Sequence, residues 1–134
     1  MKLLVKKILS LHEDGANCYL LVIDEKYKIL LDCGINHSFD LSKYREIAAE
    51  IRDLQLVLIS HSAIEYSGAY PFLISELSLN PKIFYTTQPI MRYSPLNLHE
   101  EILNLRIPGY NKKIFNRIYS HYEEMNMVKP YQKQ

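Results

Sequence analysis

The chain has 134 residues, 48% of them hydrophobic and 23% charged, a balance that fits one globular domain and excludes a disordered polymer. Its 16 Lys and Arg against 15 Asp and Glu give a formal charge of +1, so no overall attraction to nucleic acid is built in, although a local patch is compatible with it. No run approaches the ~18 apolar residues that a bilayer-spanning helix needs.

The first strand is expected over residues 3–9, where Lys6 and Lys7 interrupt any signal-peptide core and no small-residue cleavage site follows. An intracellular setting is the default. A polar loop, His12-Glu13-Asp14-Gly15, leads to a hairpin with strands at 18–23 and 28–32 around Glu25-Lys26. Leu20-Leu21-Val22 and Ile29-Leu30-Leu31 are apolar at successive positions, which implies a sheet covered on both faces. If paired residues sum to 51, Cys18 stands opposite Cys33. That register admits a disulfide, but two cysteines without a secretory signal read as reduced and buried. Gly34 is expected to permit a positive φ after the strand.

Leu41, Tyr44, Ile47, Ala48 and Ile51 follow helical spacing, with Asp40 a candidate N-cap. A buried strand is expected over 54–60, a helix over 68–77 with Pro71 in its first turn, and a short strand over 82–86. Helical character returns over 89–103. A turn at 106–109 precedes a helix capped by Asn111 and carrying Ile114, Phe115, Ile118, Tyr122 and Met125; a last strand spans 127–131. The order is β-β-β-α-β-α-β-α-α-β, without linker or repeat, and predicts helices covering a mixed sheet. Residues 111–134 carry five basic side chains against Glu123 and Glu124, as a solvated helix face would.

The segment with chemical content is Ser60-His61-Ser62-Ala63-Ile64-Glu65-Tyr66-Ser67-Gly68, a loop at the end of a buried strand. A catalytic zinc needs three protein ligands and an open water position. His61 and Glu65 are donors, Ala63 has no lone pair, and the Tyr66 phenol titrates near ~10. His12, His37, His99 and His121 are scattered. His61 therefore reads as a hydrogen-bonded structural residue, and Tyr66 as packing. Glu65, otherwise a general acid or base, reads as a carboxylate at the start of the 68–77 helix. Asp32 has two readings: it orients a metal loop from behind, or it accepts backbone N–H groups in a turn. No glycine-rich phosphate loop, Cys-x-x-Cys or Gly-x-Ser-x-Gly occurs, and the 11 tyrosines are dispersed rather than clustered as a stacking platform.

Together, Tyr19-Leu20-Leu21-Val22, Leu30-Leu31-Asp32-Cys33-Gly34, Val57-Leu58-Ile59-Ser60-His61, Glu65-x-x-Gly68-Ala69-Tyr70-Pro71 and Ile83-Phe84-Tyr85-Thr86 resemble the start of metallo-β-lactamase/β-CASP proteins. Active members carry His-x-His-x-Asp-His-x-Gly where this chain has His61, Ala63, Glu65 and Tyr66. Within the family the chain is most similar to the branch of cleavage and polyadenylation specificity factor subunit 2, the non-catalytic partner of a nuclease subunit. The resemblance implies an α/β fold: the N-terminal half of an αββα sandwich, a partial domain over 1–134 with helices on one sheet face. It implies a nuclear, non-catalytic scaffold in mRNA 3′-end processing, without cofactor, in which Asp32, His61 and Glu65 are vestigial positions of a metal motif. The implied partners are the nuclease subunit and, through the complex, pre-mRNA; no membrane is involved. A degenerate metal-dependent hydrolase completed by residues from elsewhere is the alternative, and a fold fragment with no role of its own is a third reading. Half a sandwich leaves a sheet face open, so self-association or aggregation through Leu20, Val22, Ile29, Leu31 and the strand around Val128 is expected.

Overall fold

The computed structural model describes residues 1–77, 83–105, 116, 120 and 126–128. The expected helix after Asn111 and the basic side chains beyond it lie outside the described residues. Strand β1 (Leu3–Leu9) pairs antiparallel with β2 (Cys18–Ile23), and β2 with β3 (Tyr27–Leu31). Beyond them β4 (Leu56–Leu58), β5 (Ile83–Thr87) and β6 (Asn126–Val128) add in parallel, giving a mixed sheet in the order β1-β2-β3-β4-β5-β6.

The polar loop before the hairpin is a single helical turn, α1 (Leu11–Asp14). The Ser10 Oγ accepts the Glu13 N–H at 3.3 Å, and the Asp14 carboxylate accepts the Ser10 N–H at 2.8 Å, a reciprocal cap. Gly15 ends the turn at φ 69°, a conformation cheap only without a Cβ.

The hairpin register differs from expectation. Asp24 and Glu25 both take positive φ, and Lys26 N–H donates to the Ile23 carbonyl at 3.1 Å. The loop then holds three residues, and paired positions sum to 50, as in Tyr19 with Leu31. Cys18 is therefore not opposite Cys33. Both are buried free thiols, and burial pushes the Cys18 thiol up to about 12 and that of Cys33 well above its usual value, which keeps them in the unreactive thiol form.

The helix expected from Leu41 splits into α2 (Ser42–Glu46) and α3 (Ala48–Ile51) at Ile47, whose φ of −105° and ψ of 13° interrupt the helical run. Leu41, not Asp40, is the N-cap, although an Asp40 carboxylate oxygen accepts the Ser42 N–H at 2.9 Å. The helix expected over 68–77 is α5 (Tyr70–Leu77), with Pro71 in its first turn, and a separate helical turn that the pattern did not predict, α4 (Ile64–Ser67), precedes it. The long α6 (Gln88–Leu105) contains Pro95.

The helices bury one sheet face. Leu20, Leu30 and Val57 share a row through their pairing and form one core with Tyr44 of α2, Ile51 of α3, Tyr70 and Leu73 of α5, and Leu98 and Ile102 of α6. The helices thus share one face, as the sequence predicts. The core takes no residue from the row Leu21, Ile29 and Leu56 on the opposite face. The expected contact set is corrected accordingly: Leu20 and Val22 pack under the helices, and only Ile29 and Leu31 belong to the other face.

Candidate functional site

Three chain segments converge at the ends of β3 and β4. Asp32 follows β3 with φ 60°, a strained value for a residue with a Cβ, which Asp tolerates better than most. Its carboxylate is 7% exposed and accepts the Ser60 N–H at 2.7 Å, the Ser60 hydroxyl at 2.8 and 2.9 Å, and the Asn17 side-chain amide at 3.1 Å. It therefore binds the loop after β4 across the sheet end, rather than capping its own turn.

Residues 33–35 then run against α4. Cys33 N–H donates to the Tyr66 carbonyl at 2.8 Å, Ile35 N–H to the Ile64 carbonyl at 2.9 Å, and Ala69 N–H to the Cys33 carbonyl at 3.0 Å. Asn17 joins by donating its N–H to the Glu65 carbonyl at 2.7 Å and accepting the Gly34 N–H at 2.9 Å. The buried Tyr44 hydroxyl donates to the Gly34 carbonyl at 2.7 Å. Gly34 does not have the expected positive φ; among the described glycines only Gly15 has one. Gly34 is needed instead because a Cβ there would overlap the Glu65 carbonyl.

The strand-end loop carries the motif positions. His61 is exposed, its Nδ1 accepts the Ala63 N–H at 3.0 Å, and its ring lies 5.0 Å from that of Tyr66 at 40°. Tyr66 thus packs as expected. A neutral imidazole that accepts at Nδ1 carries its proton on Nε2, so neither nitrogen offers a lone pair without breaking that bond. Asn97 of α6 donates to the Ser62 carbonyl at 2.9 Å, and the Ser67 hydroxyl lies 3.1 Å from that of Ser94. The loop is held by protein groups on both sides.

Glu65 is not the cap of the following helix. It lies in the first turn of α4, and its carboxylate faces His37 at 3.3 Å. The other nitrogen of His37 sits 2.7 Å from Glu101 of α6. Spacing gave no hint of this cluster, since His37 and Glu101 are 64 positions apart. With both nitrogens aimed at carboxylates, only the imidazolium can donate twice. The His37 pKa is raised, chiefly by the Glu101 hydrogen bond against a desolvation penalty, with the charges of Glu101 and Glu65 adding. A raised folded-state pKa contributes stability that is complete below the ordinary value near ~6.5 and is lost as pH rises through the folded value. The difference between thermal melts of the wild type and His37→Ala is expected to be larger at pH 6 and to shrink as the pH rises above neutrality. Solvent screening of the exposed ring keeps the difference under about 1 kcal/mol. A gap that widens with pH would contradict the pairing.

His37, Glu65, Glu101 and Asn97 border a cleft of about 370 Å³. Among the described residues no group of three His, Cys, Asp or Glu side chains could hold a metal ion. The donors present do not fit one: Asp32 is committed to Ser60, Glu65 to His37, and His61 to Ala63.

The sequence pattern of the metallo-beta-lactamase superfamily domain matches residues 20–134. The chain belongs to the metallo-beta-lactamase superfamily. The "Probable cleavage and polyadenylation specificity factor subunit 2" of Drosophila melanogaster is 34% identical over 88 residues, covering 66% of this chain and 11% of that protein. Its namesake in Caenorhabditis elegans is 29% identical over 118 residues, covering 87% of this chain and 14% of the relative. "Probable RNase MJ4" of Methanocaldococcus jannaschii is 41% identical over 61 residues, 46% of this chain and 14% of its own length. The chain thus spans a small fraction of the superfamily members it matches. No helix among the described residues is long and apolar enough to cross a membrane.

Proposed function

We propose that this chain is an N-terminal, non-catalytic scaffold portion of the nuclear mRNA 3′-end cleavage and polyadenylation machinery. It sits beside the nuclease subunit and meets pre-mRNA through the complex. The observation that carries the reading is the strand-end loop, where Ala63 offers no donor and His61 is turned into a hydrogen-bond acceptor for Ala63 N–H. The names of the subunit 2 relatives support the process. Asp32, Asn17 and Asn97 hold the loop in place of a metal, so its shape serves as a frame.

The similarity to a relative named as a probable RNase favours a second reading, a degenerate hydrolase of the same fold. One experiment separates them. The purified chain is expected to bind zinc no more tightly than about micromolar, with no change in His61→Ala. Cells carrying His61→Ala with Glu65→Ala are expected to keep 3′-end cleavage and co-purification of the nuclease subunit. Stoichiometric, chelator-resistant zinc lost on His61→Ala, or RNA hydrolysis abolished by it, would establish the hydrolase. Retained cleavage without co-purification of the nuclease subunit would refute the scaffold role.

A further inference from the structure

Residues 36–40 form a strap between the buried segment after β3 and α2. Asn36 shapes it. Its side-chain oxygen accepts the Ser38 and Asp40 N–H groups at 3.1 and 3.2 Å, and its carbonyl accepts the Phe39 N–H at 3.0 Å. Phe39 takes φ 53°, a conformation that a bulky side chain holds only where its surroundings over-determine it. Its ring meets that of Phe72 on α5 edge-on, at 6.2 Å and 82°, and packs against the core. Two residues earlier, His37 reaches two helices at once. Its Nδ1 lies 2.7 Å from Glu101 on α6, and its Nε2 lies 3.3 Å from Glu65 on α4. The strap thus has one apolar anchor and one ionic anchor.

We propose that His37 is a proton-operated clasp on this strap: protonated, it ties residues 36–40 to α4 and α6, and neutral, it lets the strap lift from α4 and reshapes the cleft beside it. The reason is the donor count. An imidazolium donates from both nitrogens, a neutral ring from one. The shorter contact, to Glu101, keeps the remaining proton. The other nitrogen then turns a lone pair on the Glu65 carboxylate, and attraction becomes repulsion. The charged groups facing the ring are Glu65 and Glu101, with Glu100 on the same cleft wall, and no Lys or Arg among the described residues borders that cleft. On the other flank of the strap Asp14 is paired with Lys43 at 2.7 Å, and Asp40 accepts the Ser42 N–H, so both carboxylates are already engaged. Because the folded state favours the charged ring, the clasp is complete below the ordinary value near ~6.5 and is lost as pH rises through the folded value. The unfavourable φ of Phe39 assists the release, since it persists only while the strap is held at both anchors.

Amide hydrogen exchange of the whole chain, read by NMR beside the titration of the His37 ring, tests this. After correction for the intrinsic pH dependence of exchange, protection of the Ser38, Phe39 and Asp40 amides is expected to fall about three- to fivefold between pH 6 and about pH 8.5. The fall should share its midpoint with the His37 titration. The amides of Leu20 and Leu30, in the paired strands β2 and β3, should keep their protection. Glu65→Gln combined with Glu101→Gln preserves side-chain shape and removes both charges. In that variant the strap should lose its pH dependence, and His37 should titrate at lower pH than in the wild type. Strap protection that stays constant while His37 titrates would overturn the clasp, as would a pH dependence that survives the double substitution. An equal fall at Leu20 and Leu30 would assign the effect to global unfolding and overturn it too.

Discussion

Gly34→Ala is expected to destabilise the chain by roughly 4 kcal/mol or more. The added Cβ would overlap the Glu65 carbonyl and come within 2.9 Å of the Asn17 amide nitrogen. Both are backbone atoms, so no side-chain rotation relieves the clash. The segments must separate, which breaks the bonds from Cys33 to Tyr66, Ile35 to Ile64 and Asn17 to Glu65. Each buried group left unpaired costs about 1–3 kcal/mol. At this size the midpoint of thermal unfolding should fall by on the order of 15 °C. Gly15→Ala supplies the contrast. Its Cβ would meet the Asn36 Cβ at an ordinary 3.6 Å, and only the φ of 69° is unfavourable, a cost of about 1–2 kcal/mol. Calorimetry of the two variants checks the ranking; equal effects would show that the segment around Gly34 relaxes freely.

Asp32→Ala is expected to cost about 3–5 kcal/mol. It leaves the Ser60 N–H and the Asn17 amide without their buried acceptor and puts alanine at a φ of 60°. Asp32→Asn keeps the shape, tolerates that backbone conformation and still offers one acceptor to Ser60 N–H. It should cost about half as much. If Asp32 acted only behind a metal, neither variant would change the stability of zinc-free protein. Denaturant unfolding in the presence of chelator therefore separates the two roles.

Much of the fold is legible in local pattern. Strands β1 and β2 match their expected ranges, because runs such as Cys18-Tyr19-Leu20-Leu21-Val22-Ile23 admit little else. The kind of helix between β3 and β4 was legible too, but not its interruption at Ile47, since helical spacing does not report where the backbone must turn to meet the sheet. The hairpin register shifted by one because Asp24 and Glu25 adopt positive φ without glycine, against their intrinsic preference.

The sequence by itself determined what the loop after β4 lacks. Side-chain chemistry is local, and Ala63 has no donor in any fold. It also determined that Asp32 stands at the end of one strand and His61 in the loop after another. Only the tertiary structure decided what those residues touch. Asp32 reaches Ser60 28 positions away, and His37 reaches Glu101 across 64; contacts of that separation have no periodic trace in the chain. The role of Gly34 likewise follows from where the Glu65 carbonyl lies, not from its own φ. Which sheet face is covered was beyond pattern as well. Leu20 and Leu21 are equally apolar, and the pleat sends one under the helices and the other to the opposite face.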